Sequence, residues 1–124
     1  MSKRPTGSNV LLISDRRPEP PQELTADQAA EWKAIVARMP AGWFARETWP
    51  LLVQLVRHIS AARGIARMLD RHWENYGLET LALTLRMQER ESKAIATLAT
   101  KLRLSQQSSY NAKTAATAKA NRAE

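Results

Sequence analysis

WPLLVQLVRHISAARGIARMLDRHWENYG, residues 49–77, decides the fold class. Leu52, Leu55, Val56, Ile59, Ala62, Ala66, Leu69 and Trp73 recur at intervals of three and four, the signature of one face of an α-helix. Thr48 stands where an N-cap belongs. Pro50 falls in the first turn, where a proline costs no hydrogen bond. Gly77 reads as the C-terminal stop. The spacing predicts a helix of roughly 27 residues, about 40 Å long at 1.5 Å per residue.

Working outward, a second long helix is expected from about Glu79 to Leu104. Its stripe is Leu81, Leu85, Ile95, Leu98 or Ala99, and Leu102, and it is weakened by the polar run QERES at 88–92. Two helices of nearly equal length with one glycine turn between them read as a long antiparallel αα-hairpin. Upstream, Thr25 and Gln28 form a capping box for a shorter helix from about Ala26 to Met39. That helix carries Ala29, Trp32, Ile35 or Val36, and Met39 on one face. Pro40-Ala41-Gly42 ends it. Trp43 and Phe44 follow as expected wedges between helices. The fold class expected is therefore all-α.

Three regions follow from composition. Residues 1–21 hold four of the six prolines with Lys3, Arg4, Arg16 and Arg17, and read as an extended basic arm. Within it Val10-Leu11-Leu12-Ile13 is a short apolar plug for the core or a neighbouring subunit. Residues 22–104 form the helical core and oligomerisation region. Residues 105–124 are rich in Ala, Ser, Thr, Asn and Lys and read as a basic flexible tail.

The net charge of +7 points to an anionic partner. Arg63, Arg67 and Arg71, spaced at four with Arg57 nearby, form a cationic ridge suited to phosphates. The same arginines could instead pair with Asp70, Glu74 or glutamates of the last helix. The arms add Lys3, Arg4, Arg16 and Arg17 on one side and Lys113, Lys119 and Arg122 on the other, residues suited to gripping backbone without reading sequence. The four tryptophans, on helical faces, read as core or interface residues rather than base-stacking platforms.

Enzyme motifs do not appear. His58 and His72 lack a second ligand at metal spacing, and no phosphate loop or nucleophile elbow is present. The expectation is a non-enzymatic protein without metal or cofactor. With no cysteine and no apolar run of about 18 residues, the chain should act in a cytoplasm and not in a membrane.

A 40 Å hairpin is long for about 85 ordered residues, whose compact form has a radius of gyration near 12 Å. The first helix is too short to cover both long ones, and Leu51, Val53, Ile65 and Met68 lie off the main face. Leftover apolar surface calls for copies of the chain, the alternative being a monomer whose N-terminal arm folds back over the hairpin. The expected interface is Leu52, Leu55, Val56, Ile59, Leu69, Trp73, Leu81 and Leu85.

PPQELTADQAAEWKAIV, residues 20–36, resembles the entry segment of the small terminase subunits of tailed double-stranded-DNA phages. That segment has a proline pair, a leucine, a capping Ser or Thr, an acidic-alanine run, then tryptophan, a basic residue and two aliphatics. Here these are Pro20-Pro21, Leu24, Thr25, Asp27 to Glu31, Trp32, Lys33, Ile35 and Val36. LRLSQQSSYN, 102–111, is similar to a family ending Leu-Gly-Leu-Thr-Pro-x-Ser-Arg through Leu102, Leu104, Ser105 and Ser108. Gln106 replaces the proline and Ser109 the arginine. The resemblance implies a homo-oligomeric ring of about eight to ten subunits. It implies binding to double-stranded viral DNA, regulation of the large terminase subunit that holds the ATPase and nuclease, and action in the cytoplasm of the infected bacterial host. The competing expectation is a helical oligomeric adaptor for acidic proteins that binds no DNA.

Overall fold

The computed structural model describes residues 17–104. These hold three α-helices: α1 (Ala26–Arg38), α2 (Trp49–His72) and α3 (Leu78–Lys101), with single 3-10 turns at Arg46–Thr48 and Trp73–Asn75. No strand occurs among the described residues. Contacts divide the chain into two compact units, one up to Ala61 and one from Ala62 onward.

In the N-terminal unit, α1 starts where its cap demands. Thr25 is extended (φ −69°, ψ 169°), its Oγ1 accepts from the Gln28 amide at 3.2 Å, and Gln28 Oε1 accepts from the Thr25 amide at 3.1 Å. Two amides that the helix leaves without partners are thereby satisfied. Thr25→Ala should lower stability by about 1 kcal/mol in urea unfolding. Because the two side chains act as one device, adding Gln28→Ala should cost less than its own single effect.

α1 buries Trp32, Ile35 and Val36, residues i, i+3 and i+4. The Trp32 side chain is fully enclosed and its indole N–H donates to Pro18 O at 2.9 Å. Arg17 Nε and Nη2 donate to Val36 O (3.3 Å) and Met39 O (3.0 Å), supplying donors to carbonyls at the helix end. Residues 17–21 are thus fastened along α1. Arg17 and Pro18, expected in the arm, bond to the α1 region, and residues 1–16 and 105–124 lie outside the described part.

Pro40 O accepts from the Trp43 amide at 3.0 Å, closing a turn in which Gly42 has φ +82°. That is the third-position value of a type II turn. Glycine is required here by backbone conformation, because a Cβ would meet nothing within 4 Å. Phe44 is buried, and its carbonyl accepts from the Trp49 indole at 3.0 Å. Thr48 does not cap α2 as expected. It lies inside the 3-10 turn, and its hydroxyl donates backward to Ala45 O at 2.6 Å instead of accepting from the helix amides. Leu52, Leu55 and Val56 follow at 0, 2 and 0% exposure. Each such apolar side chain contributes about 1.5–3 kcal/mol through burial.

In the C-terminal unit, α2 stops at His72, short of Gly77. Gly77 is instead the N-cap of α3, with φ −69°, a value open to any residue. The stop is made by the 3-10 turn and the extended Tyr76, so Gly77 acts as an entry and not as a brake. On α3 the shielded positions include Leu81, Thr84, Gln88, Glu91, Ile95 and Leu98, with Leu102 at the cap. They alternate in steps of three and four, as in a coiled-coil seam. Thr84 is buried because its hydroxyl donates to Thr80 O at 2.7 Å, which satisfies its polar group inside the helix. Leu85, expected in the stripe, is 47% exposed. On α2, Ile65, expected off the main face, is buried.

α3 ends in a left-handed cap. Leu102 N–H donates to Leu98 O, Arg103 N–H donates to Thr100 O, each at 2.9 Å, and Arg103 has φ +62°. This conformation is normally left to glycine, and a side chain there is held at a cost.

Candidate nucleic-acid interface and assembly surface

The expected cations fall into four groups. Lys3, Arg4, Arg16, Lys113, Lys119 and Arg122 lie outside the described residues. Arg17 is committed to the end of α1, so its guanidinium holds the fold. Arg57 is exposed on α2 with Nη2 3.5 Å from Glu23 Oε2, both side chains about half exposed. A pair so open to water contributes little to stability, and solvent leaves Arg57 able to exchange partners.

Arg63, Arg67 and Arg71 are all exposed on α2. Spacing of four places them in one row. Arg67 Nη2 lies 3.9 Å from where a Cβ on Gly64 would stand, an ordinary van der Waals distance. Neither Arg67 nor Arg71 forms an ion pair with Asp70 or Glu74. Arg63, by contrast, has a partner, and the expected alternative of pairing with glutamates of the last helix stays open. Sequence reasoning passed over Arg46, whose guanidinium sits 5.4 Å from the centroid of the Trp49 ring. The i, i+3 spacing of a basic residue and a tryptophan was the available signal.

The expected assembly residues separate by exposure. Leu52, Leu55 and Val56 are enclosed by the chain itself. A side chain with no surface left in the protomer has none to lose when a second copy docks, so these three leave the expected interface and belong to the core. Ile59, Leu69 and Leu81 are half-buried. Trp73 and Leu85 are exposed, at 53 and 47%. Beside them in the same unit stand Met68, Leu78, Leu83 and Met87, of which Leu78 is 86% exposed. Leu83 and Met87 escape a sequence reading because they sit outside the expected stripe, and Leu78 because the helix is expected to begin only at Glu79. Leu78 and Leu85, seven apart, share a face of α3, since two turns take about 7.2 residues.

Among the described residues, no three of His, Cys, Asp and Glu come together in a way that could hold a metal ion. No described helix is long and apolar enough to cross a membrane. Comparison of the chain with protein-family models, with curated proteins and with solved structures gives no match.

Proposed function

We propose that the chain is a small terminase subunit of a tailed double-stranded-DNA phage. In this reading α2 and α3 fold as a long hairpin, copies assemble into a ring, and the ring holds viral DNA for a large subunit carrying ATPase and nuclease in the host cytoplasm. The observation that carries the reading is the concentration of large apolar side chains left in water between Met68 and Met87, beside a row of exposed arginines. A soluble protein rarely keeps so many neighbouring apolar groups wet unless a partner covers them. A second copy supplies that cover, and cations repeated around a ring suit a regularly charged duplex.

Two further features support it. The entry motif that carries the resemblance forms a working device: Thr25 and Gln28 close the box, and Trp32 fills the core. At the other motif, Arg103 stands where the family ending has glycine, and its φ of +62° is the conformation glycine takes freely.

The test is DNA affinity as a function of salt. Each phosphate neutralised contributes about 0.9 to the slope of log K against log salt. Arg63→Ala, Arg67→Ala and Arg71→Ala together should flatten that slope by about 1–3 and weaken binding alike on unrelated duplexes. Binding to acidic polypeptides with no affinity for duplex DNA would favour the adaptor reading instead.

A further inference from the structure

The N-terminal unit contains a groove of about 620 Å³ lined by Arg17, Pro18, Gly42, Phe44, Arg46 and Trp49, together with Glu19 and Ala45. Its size is within the range of about 300–1,000 Å³ typical of ligand sites. Apart from the exposed Glu19 carboxylate at its edge, the polar side chains of the wall are engaged. The Trp49 indole N–H is given to Phe44 O, Arg17 to the carbonyls of Val36 and Met39, and Arg46 lies over the Trp49 ring. Gly42, in its positive-φ turn, brings no side chain to the wall. Two aromatic rings, prolyl carbons and already partnered cations offer more to an uncharged aliphatic group than to an anion.

Such a group lies in the chain itself. Val10-Leu11-Leu12-Ile13 is the run of consecutive aliphatics in a leader that is otherwise polar, basic and proline-containing. It joins the groove at the groove's own rim, because Arg17 is both a lining residue and the point fastened to α1. Ile13 is four residues before Arg17 and Val10 seven, so an extended chain reaches about 13 to 25 Å at 3.3–3.6 Å per residue. A tether this short gives an effective concentration of the order of millimolar, far above that of a free partner. We propose that the groove beside Trp49 is the docking site of the chain's own Val10–Ile13 segment. This inference stands independently of the terminase reading.

The absence of cysteine from the sequence provides a clean test in the full chain. Leu12→Cys is paired with Ala45→Cys, an exposed position lining the groove, and compared with Leu12→Cys paired with Glu79→Cys, an exposed position on α3. Under mild oxidation the first pair should form a disulfide within one chain at least about tenfold faster than the second, at a rate independent of protein concentration. Equal rates overturn the proposal. A crosslink between chains also overturns it, assigning the groove to a second copy. Independently, Leu11→Asp with Leu12→Asp should move the Trp49 indole N–H resonance and leave that of Trp73 in place, and a Trp49 signal that stays put counts equally against docking.

Discussion

Trp32→Ala should lower the unfolding free energy by about 3–5 kcal/mol, close to the whole stability of a marginal domain. Three losses combine. A fully enclosed indole disappears from α1 and leaves a cavity. The Pro18 carbonyl loses its donor at 2.9 Å. The extended segment at 17–21 loses one of its two fastenings, and Arg17 alone must hold it. Trp32→Phe separates the contributions, because it keeps most of the apolar volume and removes the N–H; about 1–3 kcal/mol is expected for leaving that carbonyl unpaired. Urea unfolding followed by circular dichroism measures both. A loss below about 1 kcal/mol for the alanine variant would mean that this side chain is not central to the N-terminal unit.

The second large effect concerns assembly. In the proposed assembly, Leu78→Asp with Leu85→Asp should leave only a protomer of 14.0 kDa, with helix content unchanged. Leu78 is almost wholly exposed and Leu85 about half, so the folded protomer loses little when they become polar. A carboxylate desolvated at an interface, by contrast, costs several kcal/mol for each copy. The contrast variant is Leu55→Asp, which buries the same carboxylate in the core and should unfold the chain. Light scattering at micromolar concentration reads the mass. An assembly of unchanged mass in the double variant would place the contact between copies elsewhere.

What sequence reading captured was local. The Thr25–Gln28 box and the turn at Pro40–Gly42 depend on residues a few positions apart, and both stand where the spacing put them. The all-helical class follows from a periodicity that no strand would share. What it missed involved either distant partners or polar residues in apolar places. Arg17 and Pro18 meet α1 residues 14 to 22 positions away, which no periodicity encodes. Thr84 takes a shielded position on α3 because it hides its own hydroxyl, while Leu83 and Leu85 on either side remain in water. Counting apolar residues therefore selected Leu85 over Thr84. In the same way, reading Gly77 as a stop overlooked that a glycine with an ordinary φ can open a helix as well as close one. The exposed arginine row was legible in its spacing; that Arg67 and Arg71 do not pair with Asp70 or Glu74 was not, because that depends on rotamers.

The fastening of residues 17–18 to α1 has a mechanical consequence. Any pull transmitted from the leader arrives first at the Arg17 guanidinium and the Pro18 carbonyl, and both deliver the load to α1. Three short polar links in parallel share such a load and give way together, so the leader behaves as a rope tied to a cleat. A small tension leaves the helix unmoved, and a larger one frees the indole and starts to open the unit from that side.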